Sequence, residues 1–253
     1  MEDNFARNVI YYAEVMNLAK MNEEKLAQER ARLYELHRFE REATEHGFEY
    51  IIGVDEVGRG PLCGPVVTAA CILKSYSDSE QEILFLNDSK KLSEKKREAV
   101  SLDIKDKAAA YGFGISGPER IDDINILNAT LEAMKDAVYE CIKAYEQRYD
   151  IHIEHDKVIV FVDGNKEIPG LRLFQKSIVS GDANSASISA ASILAKVKRD
   201  HMMIEYDDKY PGYGMAKHKG YGTKQHVEAL KELGPTPIHR RSFLKKILGD
   251  IDA

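Results

Sequence analysis

The chain has 253 residues, 43% of them hydrophobic, and a formal net charge of −6 at pH 7. This composition is typical of a globular protein with one large domain or two small ones, and it excludes a chain that is disordered throughout. No stretch approaches the roughly 18 uninterrupted apolar residues of a membrane span, and the first twenty residues lack the pattern of a secretion signal. The sequence therefore predicts a cytoplasmic protein without a membrane partner.

The cysteines Cys63, Cys71 and Cys141 are too few and too scattered for a disulfide framework. None of them lies in the CxxC or Cys/His spacing that is typical of zinc sites. We therefore expect reduced thiols and no zinc.

Positive charge is concentrated toward the end of the chain. Between residues 209 and 246 there are nine Lys and Arg residues and only two acidic ones. Such a local excess is used to bind phosphates, although the solvated face of a helical tail explains it as well. The negative net charge counts against a protein that contacts nucleic acid over its whole surface.

Residues 1–48 form the first segment that stands apart in composition. They are rich in Glu, Lys, Arg and Ala, contain no proline, and reach their first glycine at Gly47. Leu26, Leu33 and Leu36 fall near one side of a helix. The sequence predicts a helical extension here, followed by a second domain over 49–253 that includes the basic C-terminal region. Because the two differ in composition, we expect the second domain to fold and act alone.

Strand and helix patterns alternate through this second domain. Apolar or β-branched runs predict five strands, at 50–52, 65–73, 111–116, 158–162 and 178–179. Helical patterns follow at 93–107, from residue 118 to about 145, and at 187–206. The first two strands are expected to pair as a hairpin, and the run at 158–162 is expected to be central. This order predicts the α/β class, with a mixed five-stranded sheet flanked by helices and a helical C-terminal segment.

Four acidic residues stand at predicted strand ends or helix starts. Asp55 and Glu56 come where the first strand gives way to a glycine turn, Asp163 ends the most apolar strand, and Asp182 precedes a helix of small residues. Neighbouring strand residues point to opposite faces, so Asp55 and Glu56 can serve one site only if the chain leaves extended geometry there. Each acid alone is also explained as a turn or cap residue.

The chemistry of this acid set favours divalent cations. No cation close in sequence pairs with these residues, and four carboxylates at one place repel each other unless metal ions neutralise them. Oxygen ligands without a Cys/His cluster favour Mg²⁺ or Mn²⁺ over zinc. In a two-metal site one ion activates water and the other stabilises the leaving oxygen of a phosphodiester. The sequence therefore predicts two divalent ions, Mn²⁺ or Mg²⁺, and hydrolytic phosphoryl chemistry.

An ordered series of short motifs runs from about residue 50 to residue 245. The motifs are GVDEVGRGP at 53–61, GPVV at 64–67, DSKKLS at 88–93, FVDG at 161–164, GD at 181–182, ISAASILAKV at 188–197, KGYGTKQH at 219–226 and HRRSF at 239–243. In composition and order this series resembles the type 2 (HII) branch of the ribonuclease H family. The sister type 3 branch carries a lysine where Arg59 stands, which favours type 2. The extension before Gly47 matches no part of the family's core.

The resemblance implies a ribonuclease H-like fold and an endoribonuclease that hydrolyses the RNA strand of RNA-DNA hybrids. It implies that Asp55, Glu56, Asp163 and Asp182 bind the metal ions. It further implies incision on the 5' side of a single ribonucleotide embedded in duplex DNA, leaving a 3'-hydroxyl and a 5'-phosphate. The expected partners are such nucleic acids, and the protein is expected to be a monomer.

The resemblance also assigns the residues that read the substrate. Gly58, Arg59 and Gly60 are expected to contact the ribonucleotide and the adjoining phosphates at an RNA-to-DNA step, and Tyr221 to pack on the sugar of the following deoxynucleotide. Glycines allow backbone amides to approach a 2'-hydroxyl, and an aromatic face accepts a deoxyribose.

On the residues alone, two alternatives stay open. A non-catalytic nucleic-acid-binding module would use the basic segment but would not need four placed acids. A metal-dependent nuclease of different specificity would need both.

Overall fold

The structure is a computed structural model that describes residues 22–74 and 82–249. Five strands form its centre: β1 (Tyr50–Val57), β2 (Val66–Ile72), β3 (Ala110–Ser116), β4 (Val158–Asp163) and β5 (Phe174–Ile178). They lie in one sheet in the order β3-β2-β1-β4-β5. The pairs β1–β2 and β2–β3 are antiparallel, whereas β1–β4 and β4–β5 are parallel. The predicted mixed five-stranded sheet and its opening hairpin are therefore confirmed.

Helices cover both faces of this sheet. Within the described residues they are α1 (Glu23–Leu36), α2 (Arg38–Glu45), α3 (Glu94–Lys107), α4 (Pro118–Tyr149), α5 (Gly181–Asn184), α6 (Ala186–Lys209), α7 (Met215–His218), α8 (Lys224–Leu233) and α9 (Arg241–Leu248). As predicted, α3 begins after Ser93, whose hydroxyl accepts a hydrogen bond from the amide of Lys96. In this part of the chain no helix is long and apolar enough to cross a membrane.

Strand alternation divides the core into two layers. In β2, Ala69 and Cys71 pack with side chains of α3 and α6, whereas Ala70 and Ile72 pack with side chains of α4. Every residue of β2 is buried, and so is every residue of β4 except the last. That last residue is Asp163, so a carboxylate lies at the end of the most apolar strand, where the strand becomes partly exposed.

The fifth strand differs from its predicted position. It runs over Phe174–Ile178 instead of 178–179, and its residues alternate between more and less exposed. Gln175 and Lys176 break the apolar run, which is why a search for buried runs found only its last residue. An edge strand with one exposed side carries this weaker signal.

The described part of the N-terminal extension packs on the core. Leu33 and Leu36 of α1 are buried in the cluster that contains α3 and α6 side chains. Ala43 of α2 is buried in a second cluster with Phe161 of β4 and Ile188 of α6. The extension is therefore separate in composition but not in its contacts. The domain boundary itself stays a prediction, and these contacts lead us to expect that the catalytic region depends on the extension.

We expect deletion of residues 1–48 to destabilise the protein. Burial of Leu33 and Leu36 contributes about 2 kcal/mol each, and the whole free energy of unfolding of a domain is only about 5–15 kcal/mol. Thermal unfolding followed by circular dichroism should show a lower Tm, and the uncovered apolar surface should promote aggregation. A chain that starts at Asn22 keeps every described contact and is the matched control. Equal unfolding temperatures for the two truncated chains would contradict this packing argument.

Candidate active site

Three of the predicted acids meet at the ends of β1 and β4. Oxygen atoms of Asp55, Glu56 and Asp163 lie within 4.8 Å of one another. Asp55 is only 5% exposed, and its Oδ1 accepts a hydrogen bond of 2.6 Å from the amide of Glu56. A cleft of about 130 Å³ borders Glu56, Arg59 and Asp163. The two carboxylates of β1 therefore do face one place, together with the acid of β4.

The way in which Asp55 and Glu56 reach this place differs from the prediction. The chain does not leave extended geometry at these residues, because β1 continues to Val57 and pairs with β2 throughout. On its other side, however, the register with β4 ends at the pair Val54 and Val162. That edge of β1 is thus open at both acids, and side chains from both faces of the strand can turn toward the end of β4.

Burial and mutual repulsion disfavour negative charge in this cluster. Burial raises the pKa of Asp55 well above its ordinary value, and the charges of Glu56 and Asp163 raise it further. Burial also raises the pKa of Glu56, and Asp163 adds to that effect, whereas Arg59 opposes it. Close oxygen donors, two of which resist ionisation in isolation, fit divalent cations, which stabilise the charged carboxylates together. Three acids therefore suit Mg²⁺ or Mn²⁺ by donor type.

Asp182 lies beside the group of three and not within it. Burial, Asp163 and Asp88 raise its pKa. The amide of Gly181, its neighbour in α5, donates a 2.7 Å hydrogen bond to Oδ1 of Asp163. The backbone that carries Asp182 is therefore attached directly to another acid of the cluster.

Two cations pair with these acids: Arg59, which is close in sequence and contradicts the expectation that no such cation would, and Lys90, which is distant in sequence. Arg59 Nη1 lies 3.3 Å from Glu56 Oε1, and Lys90 Nζ lies 3.8 Å from Asp182 Oδ2. Partial burial would lower the pKa of Lys90, but the charges of Asp182 and other nearby carboxylates raise it above its ordinary value. Both cations are half or more exposed and screened by solvent, so the pairs are weak and leave these side chains available to a phosphate.

The predicted substrate-reading residues are close to one another in space. Gly58 has a φ of +94°, and a Cβ there would lie 2.2 Å from Nε of Arg199. At Gly60 a Cβ would meet only Cε1 of Tyr221, at an ordinary 3.5 Å. Tyr221 itself is 46% exposed. The glycine turn and the tyrosine of a distant loop thus form one surface beside the acids.

Two buried arginines, Arg199 and Arg240, hold the backbone of this surface in place. Sequence reasoning did not identify them as site residues. Arg240 donates hydrogen bonds to the carbonyl oxygens of Gly58, Arg59 and Gly64 at 2.6, 2.9 and 3.0 Å.

Arg199 donates to the carbonyl oxygens of Cys63 and Pro65, which follow the turn, and of Lys219, which precedes Tyr221 in its loop. Across residues 22–74 and 82–249 neither guanidinium forms an ion pair with a carboxylate, so both serve backbone carbonyls. Only the motif ILAKVKRD around Arg199, unusual in placing Arg on an apolar helix, could have signalled this role.

Comparison with known proteins assigns the chain to a family. The family model described as Ribonuclease HII matches residues 52–246. The chain belongs to the ribonuclease HII family. Its members are hydrolases that cleave the RNA of RNA-DNA hybrids, and the fold and the enzyme class predicted from the motifs are thereby confirmed.

Individual relatives support the same family. The chain is 48% identical over 232 residues to a ribonuclease HII of Caldanaerobacter subterraneus subsp. tengcongensis, which covers 92% of this chain and 89% of the relative. It is 49% identical over 227 residues to a ribonuclease HII of Bacillus mycoides, covering 87% and 79%. The first match is longer than residues 49–253 alone can supply, so that ribonuclease HII shares part of the N-terminal extension.

Solved structures agree in fold. Ribonuclease H2 from Pyrococcus horikoshii OT3 superimposes with a TM-score of 0.61 at 26% identity, over 78% of this chain and 96% of that one. A Bst RNase HIII in complex with Mn²⁺ gives a TM-score of 0.56 over 76% and 65%, and its 15% identity shows the fold alone.

A second cluster of possible metal ligands lies under the Tyr221 loop of this ribonuclease HII fold. Cys63, His226 and His239 are buried, with ligand atoms within 4.8 Å of one another. No spacing in the sequence indicated this group. Burial raises the pKa of the Cys63 thiol to about 12, and positively charged Arg199 and Arg240 lie near it, which disfavours a bound cation.

Hydrogen bonds explain the two histidines without a metal. The amide of Thr236 donates to Nδ1 of His239, so the proton of His239 is on Nε2, 3.0 Å from Nε2 of His226. Nε2 of His226 then accepts a hydrogen bond from Nε2 of His239, and Nδ1 of His226 donates one to the carbonyl oxygen of Tyr221 at 3.0 Å. All ring nitrogens are satisfied only while both imidazoles are neutral. The pair therefore supports the backbone of Tyr221.

We expect the support of Tyr221 to weaken in acid. Burial and His226 lower the pKa of His239 from 6.5 to about 4. Between these values the unfolded chain binds the proton more readily, so stability is lost as pH falls from about 6.5 toward 4, by about 3 kcal/mol in total. Urea unfolding at several pH values measures this. In His239→Gln, whose amide can replace both hydrogen bonds without titrating, the acid-dependent loss should be smaller by that amount. Parallel curves for the two proteins would contradict the neutral pair.

Proposed function

We propose that the protein hydrolyses the RNA strand of RNA-DNA hybrids and also incises duplex DNA on the 5' side of a single embedded ribonucleotide. The products carry a 3'-hydroxyl and a 5'-phosphate. The observation that carries this proposal is the position of the glycine turn. Gly58, Arg59 and Gly60 begin two residues after Glu56 of β1, and a Cβ at Gly60 would lie 3.5 Å from Cε1 of Tyr221. Hydrolysing and substrate-reading groups therefore share one edge of the sheet.

We further propose that Asp55, Glu56, Asp163 and Asp182 hold two divalent ions, Mn²⁺ or Mg²⁺. The close approach of the first three carboxylates and the raised pKa of Asp55 support this assignment, because an isolated acid cluster of this kind is electrostatically unfavourable. When bound, the ions supply an activated water nucleophile and stabilise charge on the leaving 3' oxygen.

The protein's own groups fix the geometry of this chemistry. The amide of Gly181 orients Asp163, and the side chain of Ser192 lies beside the carboxylate of Asp55, where it lowers the pKa of that group. Arg59 and Lys90, both largely exposed at the edge of the cluster, can contact the phosphates on either side of the cleaved bond. Groups that are already held in place lose little entropy when the substrate binds.

Discrimination between RNA and DNA is proposed to use two neighbouring sugars. Gly60 has no side chain, so the backbone of the turn can approach a 2'-hydroxyl closely. Tyr221 presents a half-exposed ring beside that turn, and a flat aromatic face accepts a deoxyribose but is crowded by an additional hydroxyl. A ribonucleotide followed by a deoxynucleotide satisfies both contacts.

The two rival functions predict different cleavage patterns. A non-catalytic binding module cuts nothing and gives no reason for three acids at one place, one of them buried. A nuclease of different specificity cuts duplex DNA as well as hybrids. Location in the cytoplasm, the monomeric state and the metal used stay predictions from the sequence.

Removal of one cluster carboxylate should abolish cleavage without preventing binding. Asp163→Asn, or Asp55→Asn, removes several kcal/mol of transition-state stabilisation, so turnover of a labelled hybrid in Mg²⁺ or Mn²⁺ should fall about a thousandfold or more. Gel-shift affinity for the hybrid should stay within a few fold, because the phosphate contacts remain. Glu167→Gln changes an exposed acid in the loop after Asp163 and should leave turnover unchanged. Near-normal turnover in either cluster variant disproves the metal assignment.

Substitutions on the substrate-reading surface should change preference more than folding. Gly60→Ala fits the free protein, so a sharp loss of incision at a single embedded ribonucleotide would reflect contact with the sugar. Tyr221→Ala should reduce the preference for an RNA-DNA step over continuous RNA by about 1–3 kcal/mol, the usual scale of aromatic stacking.

Tyr139→Ala, an exposed tyrosine of α4, is the control for Tyr221→Ala. Both preferences are measured as ratios of kcat/KM on a duplex with one ribonucleotide and on an all-RNA hybrid. If the parent ignores the embedded ribonucleotide, or if Tyr221→Ala keeps its full preference, the substrate-reading assignment is wrong.

A further inference from the structure

A buried carboxylate of the N-terminal extension lies behind the acid cluster. Glu40 of α2 is only 7% exposed. Its Oε1 accepts hydrogen bonds from Ser185 Oγ at 2.5 Å, from Ser187 N at 2.9 Å and from Ser187 Oγ at 2.7 Å. Its Oε2 is buried and accepts no hydrogen bond from the described residues. All described donors to the Glu40 carboxylate therefore come from Ser185 and Ser187 at the start of α6, where free amides favour a negative charge.

Serines at the start of α6 also hold the backbone around Asp182. Ser185 ends the single turn α5 that carries Asp182, and its amide donates to the carbonyl oxygen of Gly181 at 2.8 Å. One turn later, Ser189 Oγ donates to the carbonyl oxygen of Asp182 at 2.5 Å. Since the amide of Gly181 in turn orients Asp163, a shift of the start of α6 would move both acids.

The start of α6 also bears directly on β1. A Cβ at Gly53 would lie only 2.2 Å from the carbonyl carbon of Ser187, so the two backbones are in contact. Gly53 is two residues before Asp55 in the strand. Farther along α6, the side chain of Ser192 lies beside the carboxylate of Asp55 and lowers its pKa. A shift of α6 would therefore move Asp182 relative to the acids of β1 and β4, which the paired strands hold together.

We propose that Glu40 is a positioning residue of the active site. Its carboxylate fixes the start of α6 against β1 and thereby sets the position of Asp182 relative to Asp55 and Asp163, and the orientation of Asp163 through the amide of Gly181. The extension is in this way part of the catalytic unit, although the family model begins only at residue 52. This inference rests on the proposed metal-binding function of the acids.

A glutamate on the same helix provides a matched control. Glu42 lies two residues from Glu40, is half exposed, and pairs with Lys176 on β5 at 3.7 Å. Glu42→Gln removes the same charge from the same helix without touching α6. Glu40→Gln keeps the shape of the side chain but replaces the buried charge by an amide.

Binding of Mn²⁺ to the full-length chain, measured by isothermal titration calorimetry without nucleic acid, tests the proposal. We expect Glu40→Gln to weaken Mn²⁺ binding about tenfold, the effect typical of groups that orient metal ligands. The Mn²⁺ concentration for half-maximal cleavage of an embedded ribonucleotide should rise in parallel, and kcat should recover at saturating Mn²⁺. Glu42→Gln should match the parent in both measurements.

A merely structural role of Glu40 would change the Tm and not the affinity for Mn²⁺. If Glu40→Gln lowers the Tm and leaves the affinity for Mn²⁺ unchanged, the proposal is overturned. If Glu40→Gln does not fold, Ser187→Ala removes only one hydroxyl donor to Glu40 and keeps the amide. It should then show a smaller shift in Mn²⁺ affinity in the same direction, and an unchanged affinity overturns the proposal.

The design separates this inference from the proposed function. A parent protein that neither binds Mn²⁺ nor cleaves disproves the proposed function. A parent that does both, with Glu40→Gln identical to it, disproves only the positioning role.

Discussion

Mutual repulsion among Asp55, Glu56 and Asp163 is the constraint around which the rest of the structure is arranged. Two unit charges about 4 Å apart interact with about 4 kcal/mol at the effective dielectric of a partly buried site. Oxygen atoms of these acids lie within 4.8 Å of one another, in a cluster where Asp55 is almost fully buried. Only a rigid backbone can keep them together, and two adjacent parallel strands of a sheet covered on both faces provide it.

The site is rigid on its substrate-reading side for a second reason. In the proposed function the turn distinguishes RNA from DNA by one oxygen atom, so its backbone has to be held closely in place. Arg199 and Arg240 hold the turn and the Tyr221 loop through six backbone carbonyls. Because a guanidinium offers five donors in a fixed plane, each of these residues joins segments that are far apart in sequence.

Sequence reasoning found the strands and the acids because both are local signals. An apolar run that stops at an acid marks the end of a buried strand. This pattern in the sequence alone indicates Asp163 and the acid pair in β1. The prediction that the chain leaves extended geometry at Asp55 and Glu56 was wrong, because the geometry there depends on the neighbouring strands. Whether β1 continues past Asp55 is decided by its pairing with β2, and its open edge is decided by where β4 stops. Neither property is visible in one segment.

Groups that act across long separations were missed for the same reason. Lys90, Arg199 and Arg240 each contact residues that lie about ninety or more positions away, and His226 and His239 meet only after the C-terminal helices fold. The extension shows the limit most clearly. Its composition separates it from the rest of the chain, yet the carboxylate of Glu40 accepts all its described hydrogen bonds from serines nearly 150 residues later.

The acids and the substrate-reading turn are held by different parts of the chain that meet on one strand. The start of α6, which Glu40 of the extension contacts, meets β1 at Gly53, before the acids, whereas Arg240 from the C-terminal region holds Gly58 and Arg59, after them. Eight residues of strand and turn thus carry both the acids proposed to bind the metal ions and the turn proposed to contact the sugar. Since a short extended segment held at both ends has few ways to deform, the two proposed roles are coupled: a displacement of the acids along this segment would also displace the turn.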